Sequence, residues 1–258
     1  MTRVAVVTGA ARGIGAATVR RLARDGWSVV AVDCCADDPA LPYPLATAAE
    51  LEQLRDAGEV TTVTADVRDV DALGAAVRTA VTAYGGLDAA VAVAGVVAGG
   101  QPHWQSDVAA ERAVIDVDLV GVLNLARVAV PALLQRPEPR SGRFVAVASA
   151  AATRGLEKLA AYCAAKAGVT GFVRGLAADL AGTGVTANAV SPGSTLTAAL
   201  AASAALYDLP DTSAFVTQQL VGRLLDPDEV AAALVWLAGP DSSAMTGSVM
   251  AVDGGLSV

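Results

Sequence analysis

The stretch Val4-Ala5-Val6-Val7-Thr8-Gly9-Ala10-Ala11-Arg12-Gly13-Ile14-Gly15 decides the fold of this chain. A short apolar run enters a glycine-rich loop, and residues 16–23 then show the apolar periodicity of a helix. Glycines between a strand and a helix let the backbone approach a pyrophosphate, which then faces the amides and dipole of the helix. The stretch therefore predicts a dinucleotide-binding strand–loop–helix unit. A turn that binds no ligand is the alternative.

Apolar, β-branched runs like the first one recur along the chain, separated by longer helical patterns. Their hydrophobicity is continuous rather than alternating, which is typical of parallel strands covered by helices on both faces. We therefore predict an α/β fold with one doubly wound, Rossmann-type parallel sheet, formed by residues 1–258 as a single domain. The predicted strands are 4–7, 28–32, 60–64, 89–94, 144–148, 186–190 and 249–252.

Composition narrows the classes of partner. The 258 residues include 18 basic and 26 acidic side chains, a net charge of −8, which disfavours nucleic acid and anionic membrane surfaces. The N-terminus lacks a signal-peptide pattern, so a soluble, cytoplasmic protein with no membrane partner is expected. The three cysteines and the lone His103 lack metal-ligand spacing, which disfavours a disulfide framework or a zinc site. A small-molecule partner fits best.

Acidic residues follow the second and third predicted strands. Asp33 ends the second strand about 20 residues beyond the loop, where a carboxylate accepts hydrogen bonds from ribose hydroxyls and repels a 2′-phosphate. This favours NAD over NADP as the cofactor. Arg12 would bind such a phosphate or, equally well, serve as a helix-terminus residue. Asp66 and Val67, which close the third predicted strand, would hold the adenine edge, although Asp66 is also a candidate helix cap.

The strongest chemical signal is Tyr162-Cys163-Ala164-Ala165-Lys166 on a helical pattern, preceded by Ser149 at the end of the fifth predicted strand. The i, i+4 spacing places the phenol and the ammonium on one helix face. A phenol is too weakly acidic to exchange protons near neutral pH unless a nearby cation stabilises the phenolate. The three residues therefore predict proton-transfer chemistry. Taken alone, Tyr162 would be an ordinary half-buried aromatic residue.

Together, these motifs resemble the short-chain dehydrogenase/reductase superfamily over essentially the whole chain. The resemblance implies that Tyr162 is the general acid/base, that Lys166 lowers its pKa and binds the nicotinamide ribose, and that Ser149 anchors the substrate oxygen. It also implies cofactor contacts from other segments of the chain. The motifs that support the resemblance are the loop with Gly9, Arg12, Gly13, Ile14 and Gly15, then Asp33, Asp66-Val67, Ala94-Gly95, Ser149, Tyr162/Lys166, Pro192-Gly193 with Thr195, and Asp253-Gly254-Gly255.

Two segments depart from the family pattern. The Asn-Asn-Ala-Gly expected after the fourth strand is Ala92-Val93-Ala94-Gly95, so hydrogen bonds that brace the sheet there must be replaced or absent. The fourth catalytic residue of the family, an Asn, falls on Asp118 in Val117-Asp118-Leu119-Val120-Gly121. A carboxylate accepts from a lysine-linked water but cannot donate, so a different relay is expected behind Lys166.

Residues 34–46 resemble the mycofactocin-associated, carveol dehydrogenase-like branch of the superfamily, as does Ser191-Pro192-Gly193-Ser194-Thr195. This resemblance implies mycofactocin as an electron carrier, and the superfamily implies a homotetramer. The insert begins just after Asp33, so we expect it to cover the adenosine half of the cofactor. A surface elaboration that never touches NAD is the alternative.

The sequence therefore predicts an NAD-dependent alcohol dehydrogenase or ketoreductase for an apolar secondary alcohol or ketone. Residues 194–221 interrupt the path to the next helix and predict a helical substrate lid. A dinucleotide-binding sensor or scaffold without turnover is the rival interpretation, but it has no need of Ser149, Tyr162 and Lys166 together. The candidate lid residues, which would either line an apolar pocket or simply pack the lid, are Leu196, Leu200, Leu206, Tyr207 and Phe215.

Overall fold

The computed structural model describes residues 2–258 and contains a seven-stranded parallel sheet. The strands are β1 (Val4–Thr8), β2 (Ser28–Asp33), β3 (Val60–Thr64), β4 (Ala89–Ala92), β5 (Arg143–Val147), β6 (Thr186–Pro192) and β7 (Val249–Val252). Their order is β3-β2-β1-β4-β5-β6-β7, and every neighbouring pair is parallel. This confirms the predicted doubly wound, Rossmann-type sheet.

Helices cover both faces of this sheet. They are α1 (Gly13–Arg24), α2 (Ala48–Glu52), α3 (Val70–Tyr84), α4 (Val108–Ile115), α5 (Gly121–Leu134), α6 (Ala160–Asp179), α7 (Ala198–Leu206) and α8 (Pro227–Ala238). A π-helical turn, Asp116–Val120, joins α4 to α5. Capping boxes start α2 at Thr47 and α8 at Asp226, as their sequence spacing predicts.

The core has one large apolar cluster on each side of the sheet. Strand residues alternate between the clusters, so Val6 and Val30 pack toward α3 and α5, while Val7 and Val29 pack toward α1 and α8. All five side chains of β1 are buried. Burial on both faces explains the continuous hydrophobicity of the strand sequences.

The switch point of the topology lies between β1 and β4. From β1 the chain builds outward through β2 and β3, then crosses over to β4 on the opposite side of β1 and builds in the other direction. Ligands of doubly wound sheets bind outside the carboxyl ends of the strands at this point. The fold therefore places Thr8 of β1 and the residues after Ala92 of β4 at the centre of the binding edge.

The ends of five strands differ from the prediction by one or two residues. β2 ends at Asp33, β6 ends at Pro192, and β5 runs from Arg143 to Val147. β1 extends one residue further, to Thr8, whereas β4 stops at Ala92 rather than at residue 94. The amides of Val93 and Ala94 leave the sheet and donate to Thr8 Oγ1 at 3.3 and 3.4 Å. Thr8 therefore supplies the bracing that the sequence Ala92-Val93-Ala94-Gly95 lacks in its own side chains.

The helical run Val108–Leu134 is long and apolar enough to cross a membrane by length and composition. Half of the most apolar part of this run is buried inside the fold, and the run packs against α3, α6 and β4. A buried core helix can be as long and as apolar as a helix that spans a membrane. The run is therefore explained by its packing against the sheet.

Candidate active site

A cleft of about 760 Å³ runs along the carboxyl edge of the sheet. It reaches from the end of β2, across the switch point, to the segment between β6 and α8. Every site residue predicted from the sequence lies on its wall. These residues are Gly9, Arg12, Gly13, Ile14, Gly15, Asp33, Asp66, Val67, Ala94, Gly95, Asp118, Ser149, Tyr162, Lys166, Pro192, Gly193 and Thr195.

The glycine-rich loop has the shape that its sequence predicts. Gly9 has a φ of +63°, and a Cβ there would lie 2.6 Å from the backbone of Ala94. A Cβ on Gly15 would lie 1.9 Å from the carbonyl oxygen of Gly9. A larger residue at either position would push the loop away from α1 or from β4. The glycines are thus required for the close packing of the loop at the switch point.

Helix α1 begins at Gly13 with its N-terminus on the cleft. No side chain caps it among residues 2–258, in contrast to α3 and α8, which Asp69 and Asp226 cap. The Arg12 guanidinium points elsewhere and donates to the carbonyl oxygen of Pro44 at 3.1 Å. Uncapped amides at a helix N-terminus suit an anion, so this end of the cleft can receive a phosphate group.

Asp33 stands at the carboxyl end of β2, on the same part of the wall. Its Oδ2 accepts a 3.0 Å hydrogen bond from the amide of Ala11, which ties the carboxylate to the glycine loop. The side chain is only partly buried, so it keeps acceptor capacity toward the cleft. A carboxylate fixed here suits a pair of hydroxyl groups and repels a phosphate.

Asp66 and Val67 lie beyond β3, which ends at Thr64, rather than closing it. The helix-cap alternative for Asp66 is wrong, because Asp69 caps α3. Asp66 instead pairs with Arg68, whose guanidinium also reaches Asp38 at 2.6 Å. Burial opposes the charged form of Asp66, but the contacts with Arg68 hold the pKa of that carboxyl below its usual value.

Three polar side chains meet at the centre of the cleft. Ser149 follows β5, and its Oγ accepts from the amide of Ala151 at 3.1 Å, which leaves its own hydrogen free to donate. Tyr162 and Lys166 lie one turn apart on α6, with the ammonium 5.7 Å from the centre of the phenol ring. Burial raises the pKa of the Tyr162 hydroxyl above its ordinary value, while the charge of Lys166 and the hydroxyl of Ser149 act in the opposite direction.

Lys166 is almost completely buried. Its Nζ lies 3.2 Å from the carbonyl oxygen of Val147 and 3.0 Å from Asp118 Oδ2. Burial alone would lower the pKa of this ammonium, but the carboxylate of Asp118 raises it, and the net shift is upward. Lys166 therefore keeps its charge. Asp118 contacts Lys166 directly, as an ion pair.

The other end of the cleft is formed by the residues that end β6 and follow it. The amide of Gly193 donates to Val252 of β7 at 3.1 Å, and a Cβ at this position would lie 2.5 Å from the carbonyl oxygen of Asp253. Thr195 is buried, and its hydroxyl donates to the carbonyl oxygen of Gly193 at 3.0 Å. These contacts pack the segment closely against β7.

Residues 34–46 fold back over the cleft. Leu41, Tyr43 and Leu45 pack against a small cluster around Val96 and Val114. The Tyr43 hydroxyl accepts a 2.9 Å hydrogen bond from the amide of Val97. The insert thus spans from the end of β2 to the segment after β4, and part of it lines the cleft.

Residues 194–221 border the cleft on its outer side, through α7 and a 3₁₀ turn at Thr212–Gln218. Of the five apolar residues singled out in this segment, Leu200, Tyr207 and Phe215 line the cleft. Leu196 is 52% exposed, and Leu206 packs with Val97 and Leu159 without lining the cleft itself. Within α7, Leu200 and Leu206 lie on different faces of the helix, so only Leu200 lines the cleft.

Several residues of the site have no signal in the sequence pattern. Asn124 is buried on α5 and donates to the carbonyl oxygen of Val67 at 3.0 Å, which fixes the segment after β3. Arg68 fixes its segment in a similar way through Asp38 and Asp66. Thr8 does so through the amides of the residues that follow β4. A lone polar residue in an apolar helix, as Asn124 is, is the only hint that the sequence offers. No group of His, Cys, Asp and Glu side chains suited to a metal ion occurs within residues 2–258.

Comparisons with known proteins agree with this geometry. A family model described as enoyl-(acyl carrier protein) reductase, from the short-chain alcohol dehydrogenases, matches residues 9–257. Cis-4-hydroxycyclohexanecarboxylate dehydrogenase of Sinomonas cyclohexanicum is 41% identical over 98% of this chain and 96% of that protein. (-)-Trans-carveol dehydrogenase of Rhodococcus erythropolis is 34% identical over 98% of this chain and 96% of its own length.

Among solved structures, carveol dehydrogenase from Mycobacterium avium in complex with NAD superposes with a TM-score of 0.92. It is 30% identical in sequence, and the match covers 98% of this chain and 97% of that one. Sequence and fold therefore match these relatives over nearly their whole length. On this evidence the chain belongs to the short-chain dehydrogenase/reductase superfamily.

Proposed function

We propose that this protein transfers a hydride between NAD and a secondary alcohol or ketone, with Tyr162 as the general acid/base. The observation that supports this most directly is the cleft itself. Its wall joins a glycine loop and Asp33 at one end to Ser149, Tyr162 and Lys166 at the centre. A sensor or scaffold needs the glycine loop and Asp33 but has no need of Ser149, Tyr162 and Lys166. The arrangement therefore favours an enzyme.

NAD fits the residues that line the cleft. The uncapped amides of α1 suit the pyrophosphate, and the Asp33 carboxylate suits the adenosine ribose and disfavours the 2′-phosphate of NADP. Asp66 and Val67 would hold the adenine, with Ala94 and Gly95 beside it. Pro192, Gly193 and Thr195 would hold the carboxamide side of the nicotinamide. The relative from Mycobacterium avium was solved with NAD, which supports the same cofactor for this chain.

The chemistry divides simply among the residues. Bound NAD supplies the hydride acceptor or donor at its nicotinamide ring. Ser149 donates a hydrogen bond to the substrate oxygen, and Tyr162 takes the hydroxyl proton during oxidation or returns it during reduction. Lys166 stabilises the phenolate through its charge and binds the nicotinamide ribose. Oxidation of the alcohol thus gives its hydroxyl proton to Tyr162 and its hydride to the nicotinamide, which leaves the carbonyl product.

The outer part of the cleft favours an apolar, ring-shaped substrate. Val97, Leu159, Leu200 and Phe215 line it with hydrocarbon and aromatic surface. The two curated relatives described above are named for alcohols whose hydroxyl sits on a six-membered ring, which supports cyclic secondary alcohols as the substrate class. Arg154 lies on the same wall, so substrates with and without a carboxylate on the ring should be compared.

A substrate screen tests this function. Cyclic alcohols and ketones, with and without a ring carboxylate, are added to protein and NAD or NADH while nicotinamide absorbance is followed. Conversion of at least one cyclic alcohol or ketone is expected, either as turnover of added cofactor or as one equivalent of absorbance change in nicotinamide that stays bound. Tight binding of NAD without any conversion of these compounds would favour the sensor or scaffold instead.

The insert at residues 34–46 covers the adenosine half of the bound NAD and slows its exchange, and mycofactocin then serves as the electron carrier. The Arg12–Pro44 and Arg68–Asp38 contacts, which tie the insert to both sides of the cleft, support this cover. Purified protein should carry nicotinamide that is released only on denaturation, and its reoxidation should need an external carrier. Cofactor-free protein that turns over many equivalents of added NAD at an ordinary rate would rule the cover out.

We also propose the domain organisation, the oligomeric state and the cellular location that the sequence predicts. Residues 1–258 form one domain, with a lid at 194–221, in a cytoplasmic homotetramer. Large apolar side chains that are exposed in the single chain are candidates for the subunit contacts of this assembly. Trp104 is 82% exposed and Leu220 is 76% exposed. Light scattering coupled to size-exclusion chromatography should give four times the mass of the 25.7 kDa chain.

A further inference from the structure

The π-helical turn between α4 and α5 places one acidic residue in a special position. A π turn widens the helix by one residue and is often found at functional sites. Here it aims Asp118 into the protein, where the carboxylate has no exposed surface. Oδ1 accepts a 2.7 Å hydrogen bond from the amide of Val96, and Oδ2 lies 3.0 Å from Lys166 Nζ.

Gly95 makes room for this ion pair. A Cβ at position 95 would lie 3.2 Å from Lys166 Nζ and 3.3 Å from Asp118 Oδ2. Both distances are tighter than an ordinary contact, so a side chain here would push the two charges apart. The glycine, the π turn and the buried lysine thus form one local arrangement.

Charged and polar groups from four segments of the chain face Tyr162. Helix α6 contributes Lys166 and the thiol of Cys163, and the π turn contributes Asp118. The insert contributes the neutral hydroxyl of Tyr43. The segment after β5 contributes the hydroxyl of Ser149, which has no charge. The buried centre therefore holds one positive and one negative charge, whereas an Asn at position 118 would leave the positive charge alone.

The two charges act on the Tyr162 proton in opposite directions. Burial raises the pKa of Tyr162, the ammonium of Lys166 lowers it, and the carboxylate of Asp118 raises it again. Lys166 stays charged because Asp118 stabilises its ammonium. The carboxylate thus acts against the stabilisation that the ammonium gives to the phenolate.

We propose that Asp118 is a positioning residue that neutralises Lys166 and so keeps Tyr162 protonated at neutral pH, which makes the protein a better carbonyl reductase than alcohol dehydrogenase under those conditions. This rests on the proposed function of Tyr162. Reduction needs the phenol as a proton donor, and oxidation needs the phenolate as an acceptor. Alcohol oxidation should therefore rise steeply into alkaline pH, while ketone reduction should already be near its maximum at neutral pH.

The Asp118→Asn variant tests this inference through the pH profile of alcohol oxidation. Removing the negative charge leaves Lys166 uncompensated, which stabilises the phenolate. The half-maximal pH of oxidation should fall by about one unit or more, which is the size of shift that a charge at close range produces. Asp116→Asn is the matched control, because it makes the same chemical change in the same π turn at a residue that does not touch Lys166. Its profile should match that of the unaltered protein.

A second measurement does not depend on turnover or on the variant. Protein labelled with 13C at the tyrosine Cζ reports each phenol directly by NMR, and Tyr162→Phe assigns the signal. In the cofactor-free, unaltered protein, Tyr162 should titrate above the ordinary tyrosine value of about 10. Asp118→Asn should move this titration to lower pH, and Asp116→Asn should not.

The outcomes separate this inference from the proposed function. If ketone reduction depends on Tyr162 but Asp118→Asn leaves both the pH profile and the Tyr162 titration unchanged, the inference is wrong and the function stands. A Tyr162 titration below pH 9 in unaltered protein would also overturn it, even if Asp118→Asn fails to fold. If no alcohol or ketone is turned over at any pH, the proposed function itself fails.

Discussion

The Tyr43 hydroxyl accepts a 2.9 Å hydrogen bond from the amide of Val97, so the insert after β2 is fastened to the segment after β4. This contact crosses the cleft from the adenosine half toward the proton-transfer centre. Burial raises the pKa of Tyr43 to about 12, so the hydroxyl stays neutral throughout the physiological range. The fastening should therefore be insensitive to pH.

Tyr43→Phe should speed the release of NAD. The substitution leaves the Val97 amide without an acceptor beneath the insert, which costs about 1–3 kcal/mol and weakens the closed position. Release of NAD, followed by stopped-flow fluorescence of the reduced cofactor, should accelerate about tenfold. Tyr84→Phe is the control, since Tyr84 bonds Thr61 at the far edge of the sheet. Equal release rates in all three proteins would show that the insert does not hold the cofactor.

Asp33 should decide the choice between NAD and NADP. Calorimetric titration of unaltered protein that has been refolded without cofactor should show NAD binding at least tenfold more tightly than NADP, because the carboxylate repels a 2′-phosphate. Asp33→Asn should narrow this gap while keeping an oxygen that accepts from the Ala11 amide. Asp25→Asn, on the exposed end of α1, should change neither affinity. Equal affinities for the two cofactors in unaltered protein would contradict the assignment.

Tyr162→Phe should remove turnover while leaving folding and NAD binding nearly intact, since only the transferable proton is lost. General acid/base catalysis supplies about a hundredfold or more, so the rate should fall at least that far. Steady-state rates and calorimetric NAD affinity are measured on the same preparation. Retention of more than about a tenth of the rate would contradict the role of Tyr162.

The sequence predicts the features of this site that depend on local geometry. Helical spacing alone brings Tyr162 and Lys166 together, and the parallel sheet alone places Asp33 and Ser149 on one edge. The turn of the glycine loop is also local, because Gly9 has a φ of +63° and a Cβ on Gly15 would meet the carbonyl oxygen of Gly9 in the same loop. Such features need no knowledge of distant contacts.

Features that depend on distant contacts could not be predicted. The sequence assigns Asp118 to the neighbourhood of Lys166, but the direct ion pair follows from the register of a π turn, which has no pattern of its own. The hydrogen bond between Tyr43 and Val97 joins residues far apart in the chain. Some lid residues line the cleft, as Phe215 does, and others are exposed, as Leu196 is. Which residues do so also depends on how the whole segment folds.

Lys166→Met should destabilise the fold in a pH-dependent way. It leaves the fully buried Asp118 without its counter-charge, and breaking such a pair costs about 3–5 kcal/mol. Burial raises the folded-state pKa of Asp118, and loss of Lys166 raises it further. The unfolded carboxyl titrates near 4, so the deficit should be small at low pH and grow as the pH rises toward the folded-state pKa.

Urea denaturation at pH 5 and pH 8 measures this deficit. Lys158→Met is the control, because it makes the same change at the only other lysine, which forms no salt bridge within the described part of the chain. The free energy of unfolding of Lys166→Met should lie further below that of the control at pH 8 than at pH 5. A deficit that is the same at both pH values would mean that Asp118 is not the group left unpaired.

Phe215 should set the size of the substrate that the lid accepts. Its ring is 7% exposed and packs edge-on against Tyr207, with the ring centres 6.4 Å apart. Tyr207 in turn donates to the carbonyl oxygen of Glu157 at 2.6 Å, which fastens the lid to the loop between β5 and α6. The wall that Phe215 provides is therefore held in place, and trimming it enlarges the cleft.

Phe215→Ala should raise kcat/KM for bulky ring ketones relative to small ones by about tenfold, since one or more methylene groups of extra space are worth about 1–3 kcal/mol in such a pocket. Leu196→Ala is the control, because Leu196 belongs to the same segment but is 52% exposed and lies off the cleft wall. Its selectivity should be unchanged. Thermal unfolding of both variants separates a change in the pocket from a general loss of stability, because a loosened fold would lower kcat/KM for every ketone alike. A uniform loss after Phe215→Ala would mean that this ring packs the lid onto the core and does not select the substrate.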